Sequence, residues 1–209
     1  MDGVLTDSEP SFHAAVNDVI ARFGRQIALE EYQPFIGMAS AEMWTRVIAL
    51  KQLPATVGEM VEAYEAPLMG RLREPRQPLP YARELLAELR GRGVPVGLCT
   101  ASFTRWADAI LAGAGLTGMF DAVSTADTVP RTKPDPAPYA LAADLLGVAP
   151  AECVVVEDSA SGVQSALAAG CCVIQLRATA TSAPPQPGVA RVIATLREFP
   201  LELLVGTRS

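Results

Sequence analysis

Residues 153–176 read CVVVEDSASGVQSALAAGCCVIQL. An apolar run, two adjacent acids, a small-residue turn, a helical stretch over 160–169 and a second apolar run follow one another without a break. Short continuous apolar runs are what strands covered on both faces require, and a helix between two of them makes a right-handed crossover in a parallel sheet. The same alternation extends towards the N-terminus. Helix 81–91 leads through Gly91 and Gly93 to the run 94–99, helix 103–114 leads to a short strand at 122–125, and helix 137–146 precedes Cys153. Towards the C-terminus, residues 178–188 are rich in Thr, Ala, Pro and Gly and are expected to form a loop, with an edge strand at 189–193. The fold class is α/β.

Before residue 74 the pattern is different. Phe12, Ala15, Val16, Val19, Ile20 and Phe23 fall at helical spacing ahead of Gly24, and two more helical patterns follow at 43–48 and 57–68, with no strand evident. Glu74-Pro-Arg-Gln-Pro-Leu-Pro80 is stiff and irregular, a boundary between this helical unit and the alternating region.

The chain has 209 residues, half of them apolar, enough to bury a sizeable core. A net charge of −6 and an isoelectric point near 4.9, with charges of both signs scattered, supply no basic stripe for nucleic acid. No apolar run approaches the roughly eighteen residues of a membrane span, and the N-terminus lacks the basic and apolar regions of a signal peptide, so the expected address is the cytoplasm. Four cysteines without Cys-x-x-Cys spacing read as small buried hydrophobes. His13 is the only histidine, so site chemistry falls to oxygen ligands.

In a parallel α/β sheet ligands gather at the carboxyl ends of the strands. Those ends carry Thr100, Ala101 and Ser102 after one strand, Glu157 and Asp158 after another, and Asp2-Gly3 at the start of the chain; Lys133 lies just ahead of a further helix. Adjacent carboxylates at the mouth of a buried sheet repel and lose hydration, a penalty that a hard divalent cation would remove; equally, Asp158 or Ser159 could be an ordinary helix cap. Lys133, fixed by Pro134 and Pro136, suits an anion or is a solvated loop lysine. Thr100 with its neighbours could hold phosphate oxygens or cap the helix that follows. Asp2 could move a proton near a bound phosphate or stabilise its turn.

The segments DGVLTDSEP (2–10), LCTAS (98–102), RTKPDP (131–136) and VVVEDSASGVQSALAAG (154–170), in this order, resemble the four motifs of the haloacid dehalogenase superfamily, in its phosphatase and β-phosphoglucomutase-like branch. The resemblance implies a Rossmann-like doubly wound parallel sheet, residues 1–10 and 74–209, with an inserted α-helical cap over 11–73. It implies Mg²⁺-dependent transfer of a phosphoryl group through an aspartyl phosphate. By position, Asp2 resembles the general acid/base and, through its carbonyl, a magnesium ligand. Thr100, Ala101, Ser102 and Lys133 resemble the phosphate-binding groups, and Glu157 with Asp158 the acidic pair that holds the metal.

One departure stands out: the attacking aspartate of the resemblance belongs two residues before Asp2, and the sequence starts one residue before it. We therefore expect a chain truncated at an internal methionine, or a numbering that omits upstream residues. The central strand would be missing with the nucleophile, leaving two unpaired strand edges and an apolar slot.

Asp2, Glu157 and Asp158 favour phosphate over halide chemistry. Phe12 stands where the mutase group carries a histidine, and an arginine near Ser40 is missing, so the resemblance favours a phosphatase of a small phosphorylated metabolite, acting as a monomer, over a phosphosugar mutase. A catalytically dead binding protein is the alternative from another class. Met38, Met43 and Trp44 either line the cap or belong to its core.

Overall fold

The computed structural model describes residues 1–179 and 182–204. Ala180 and Thr181 of the expected 178–188 loop, and the last five residues of the 74–209 region, lie outside the described residues. The chain divides into two compact units: Ser8–Glu74, and Met1–Asp7 together with Pro75–Ser209. The first boundary falls earlier than the 10/11 junction because helix α1 (Glu9–Ile20) starts at Glu9, with proline in its first turn where a missing N–H does no harm.

The unit Ser8–Glu74 is helical: α1 is followed by the short α2 (Leu29–Tyr32), α3 (Ser40–Lys51) and α4 (Val57–Arg73). Thr56 and Glu59 satisfy each other's backbone groups at the start of α4. Both α1 and α3 pack on α4, burying Val16, Ile20, Met60, Leu68 and Leu72. Met43 and Trp44 are buried there too, Trp44 edge-on to Tyr64 with ring centroids 5.5 Å apart, so they are core residues of this unit. His13 is also structural. Its Nε2 donates to the Ile27 carbonyl at 2.8 Å, and Asn17 grips the Ile27 backbone at both N–H and C=O.

The other unit contains α5 (Ala82–Gly91), β1 (Gly97–Cys99), α6 (Thr104–Gly113), β2 (Ala122–Ser124), α7 (Ala137–Leu146), β3 (Val154–Glu157), α8 (Ala160–Ala168), β4 (Cys172–Leu176) and β5 (Arg191–Ile193). Every strand pair among the described residues is parallel; the fold is α/β, as the apolar runs predict, and Rossmann-like, as the resemblance implies. Strand β1 is shorter than the run 94–99. Pro95 has no N–H to give, and the Val96 N–H bonds the Asp121 carboxylate at 2.8 Å instead of extending a ladder.

The strands do not form one sheet. They fall into a pair, β1-β2, and a trio, β3-β4-β5. Among the described residues no strand pairs with the second edge of β1 or of β3. An apolar cavity of about 810 Å³, lined by Met1, Leu5, Leu98, Val155 and Val156 among others, lies beside both strands. Helix α7 packs on β1 and β2, α8 on β3 and β4, and α7 on α8, so the two sheets share a helical cover.

Ile174 in the middle of β4 is fully buried, whereas Val192 on β5 is 40% exposed. Ile174→Ala should lower the free energy of unfolding by about 2–5 kcal/mol, and Val192→Ala should change it by no more than about 0.5 kcal/mol. Urea denaturation of the two variants checks this, and equal losses would contradict it.

Candidate active site

The strand ends meet at Lys133. The loop from β2 to α7 carries this side chain inward to 9% exposure, where its ammonium forms an ion pair with Glu157 at the end of β3. It also donates to the Cys99 carbonyl at the end of β1, 3.3 Å away, and stands 5.1 Å above the Tyr139 ring. Burial works against the Lys133 charge, but Glu157, with Cys99 and Asp158, outweighs it and raises the ammonium's pKa.

Glu157 is correspondingly saturated. Burial opposes its charge, yet Lys133, the Met1 amino group and the Tyr139 hydroxyl together override this and hold the carboxyl at about 2. One carboxylate oxygen takes the Lys133 ammonium and the Tyr139 hydroxyl, the latter at 2.5 Å; the other accepts from Ser159 Oγ at 3.0 Å and from the Asp158 and Ser159 amides. Of the expected Asp2, Glu157 and Asp158 set, Glu157 thus faces inward with both carboxylate oxygens taken by protein donors. Among the described residues no group of three or more His, Cys, Asp and Glu side chains gathers closely enough to hold a metal.

Asp158 differs from its neighbour. Burial and the Glu157 charge push its carboxyl up to about 6, so a carboxylate here is short of positive charge. Its oxygens lie against the backbone of the Asp2-Gly3 turn, closely enough that a Cβ on Gly3 would collide with them. Gly3 also adopts φ +71°, a conformation that favours glycine, and donates to the Thr6 carbonyl at 2.9 Å. Asp2 is half-buried on this turn and bridges to Thr6.

Thr100 is buried just past β1, held by its N–H to the Ser124 carbonyl at 2.9 Å, and its Oγ1 accepts from the Ser102 N–H at 3.2 Å. Ala101 is exposed and Ser102 half-buried. This trio does not cap α6, whose N-cap is Phe103. The cap comes from Asp127, in the loop after β2. Its carboxylate accepts from the Thr104 N–H, Thr104 Oγ1 and Thr125 Oγ1 at 2.8–2.9 Å, and these bonds hold its pKa at about 2. The sequence reading missed Asp127; the dense Thr125-Ala-Asp-Thr128 loop was the available signal. Ser159, the other suggested cap, does cap α8, its Oγ accepting from the Gly162 N–H at 3.1 Å.

The structure thus brings together Lys133, Glu157, the strand end that leads into Thr100, and Asp158 against the Asp2-Gly3 turn. A buried cation, hydroxyls and a carboxylate meet here at the ends of parallel strands, an arrangement that can receive an anionic ester; the class, phosphoric monoester hydrolase, follows from the family and the phosphatase relatives. The model of the haloacid dehalogenase-like hydrolase family matches residues 1–170, and the chain belongs to that family. Fructose-1-phosphate phosphatase YqaB of Escherichia coli K12 is 33% identical over 85% of this chain and 93% of its own. Hexitol phosphatase B of the same strain is 32% identical over 99% and 94%. SUPPRESSOR OF QUENCHING 1 of Arabidopsis thaliana is 33% identical over 88% of this chain, which spans only 18% of that protein. In fold, CbbY of Rhodobacter sphaeroides in complex with phosphate superposes with a TM-score of 0.82 at 24% identity, covering 98% of this chain and 96% of that one.

Gly162 stands over the Glu157 carboxylate with no room for a Cβ. Alanine in a helix normally gains about 0.5–1 kcal/mol over glycine. Because Glu157 is pinned by its partners, Gly162→Ala should instead cost about 1–3 kcal/mol, while Gly70→Ala in α4, where the space is open, should be neutral or stabilising. Urea midpoints of the two variants test this, and a stabilised Gly162→Ala would contradict the packing described.

Proposed function

We propose that this site hydrolyses the monoester of a small phosphorylated sugar or polyol, with Mg²⁺ as cofactor. The observation that carries the proposal is the buried Lys133 ammonium at the strand ends, in a chain whose 32–33% identical relatives are named as sugar and hexitol phosphatases. The donor chemistry fits magnesium. Asp158, short of positive charge beside the Asp2-Gly3 turn, and the Asp2 carbonyl would hold it, and bound there it would neutralise phosphoryl charge.

The chain's own residues then have distinct tasks. Lys133 keeps Glu157 charged and presents positive potential to the phosphoryl oxygens. Thr100, Ala101 and Ser102 supply a hydroxyl-bearing turn that orients them. Asp2 gives a proton to the leaving alcohol and later takes one from the attacking water. The carboxylate that the resemblance places two residues before Asp2 would accept the phosphoryl group, and that position lies outside the 209 residues. Residues 8–74 are proposed as the cap that selects the alcohol. Four unbridged cysteines suit a reducing compartment, and we place the protein in the cytoplasm as a monomer. No described helix is long and apolar enough to cross a membrane.

The test is a phosphate-release screen of sugar and polyol phosphates, run on the 209-residue chain and on one extended upstream through that carboxylate. The extended chain should turn over substrate, lose activity on chelation and regain it with Mg²⁺, and lose at least about 10²-fold in kcat on Asp2→Asn. An Asp2→Asn variant with undiminished kcat would overturn the assigned role. Absence of turnover in the extended chain, with phosphate still raising its Tm, would establish a binding protein instead.

A further inference from the structure

The cysteines play no part in the proposed hydrolysis, yet two of them are placed as a pair. The β3-β4 register aligns Val154 with Cys172, which sets Cys153 beside Cys171 one step earlier, and the Cys172 N–H donates to the Cys153 carbonyl at 3.0 Å. Aligned residues on neighbouring strands point to the same face, and strands about 4.8 Å apart lie within the Cα separation of roughly 4.4–6.8 Å that a disulfide spans. Both side chains belong to one cluster with Val155, Val173 and Tyr139, and the Cys153 thiol donates to the Ala149 carbonyl at 3.6 Å, a weak contact that rotation towards Cys171 would release. Cys172 follows Cys171 in sequence but projects to the opposite face of β4. We propose that Cys153 and Cys171 are a redox dithiol that closes to a disulfide across β3 and β4 when a small-molecule disulfide oxidises it.

The chemistry balances with the small-molecule disulfide as its oxidant. The half-exposed Cys153 is the thiol an oxidant can reach, and buried Cys171 is the resolving partner. The Cys153 thiolate attacks one sulfur of oxidised glutathione, forming a mixed disulfide and releasing one glutathione thiolate. The Cys171 thiolate then attacks Cys153 Sγ and expels the second. The protein loses two electrons and two protons, and two glutathione thiols gain them. The new bond would close a loop over residues 153–171, which contains Glu157, Asp158 and all of α8.

Reactivity at neutral pH should be low. Burial raises both thiols, Cys171 to about 11, and the groups facing them offer no cation: Glu152 beside Cys153, and Cys99, Cys172 and Tyr139 around the cluster. The thiolate fraction, and with it the rate of oxidation, should rise about tenfold per pH unit over the neutral range.

The test treats the reduced 209-residue chain with excess oxidised glutathione, counts thiols after denaturation, and maps linkages with a protease that cuts after glutamate, which separates Cys153 from Cys171 at Glu157; fragmentation of the linked peptide between the adjacent Cys171 and Cys172 tells which of the two is joined. Two of the four thiols should disappear, a Cys153–Cys171 linked peptide should form, and dithiothreitol should reverse it. The urea midpoint should rise on oxidation. Cys172→Ser and Cys99→Ser should leave the linkage intact, and Cys171→Ser should trap glutathione on Cys153. Survival of all four thiols, a linkage through Cys99 or Cys172, or stable glutathionylation of Cys153 in the unsubstituted chain would each overturn the proposal, and the wild-type map decides it even if a variant fails to fold.

Discussion

A single buried ammonium connects what the backbone leaves unconnected. Strands β1 and β3 share no ladder, and an apolar cavity lies beside them. Lys133 reaches the carbonyl that ends β1 and the carboxylate that ends β3, while Tyr139 on α7 bonds the same carboxylate. Each charge is tolerated only because the other is present. Removing one partner from such a pair strands a buried charge, at about 3–5 kcal/mol, a large part of the 5–15 kcal/mol by which a domain is stable. The geometry of the candidate site therefore rests on the ion pair beneath it.

The pair also divides the labour of two adjacent acids. Strand alternation sends Glu157 to the face of Cys153 and Val155, inward to Lys133, and leaves Asp158 at the mouth against the Asp2-Gly3 turn. One acid is spent on structure, and the other retains the unmet charge that a divalent cation with oxygen ligands would answer. Gly3 and Gly162 are the two positions where this arrangement leaves no room for a side chain.

The elements were legible in the sequence wherever a period was long enough to count. The valine run before Glu157 and the helical spacing of residues 12–23 specify a buried strand and an amphipathic helix on local grounds. The 94–99 run misled because Pro95 and a carboxylate at Asp121 end its pairing, and the second of these is a contact far along the chain. Of the candidate site, the strand-end rule pointed to Thr100, Glu157, Asp158 and Asp2, and the helix entry to Lys133, but neither reveals their partners. That Glu157 faces a lysine twenty-four positions away, or that Asp127 caps α6, depends on tertiary packing that no local window holds. Met43 and Trp44 went inward for the same reason: their spacing fixed a helix face but not what covers it.

The most direct test is a double-mutant cycle on the pair, with Lys133→Met, Glu157→Gln and the double variant unfolded in urea beside the parent chain. Each single change should cost about 3–5 kcal/mol, and the double should cost far less than their sum, because the second substitution removes the charge that the first left stranded. Additivity to within about 0.5 kcal/mol would contradict this account, since it would mean that Lys133 and Glu157 act independently.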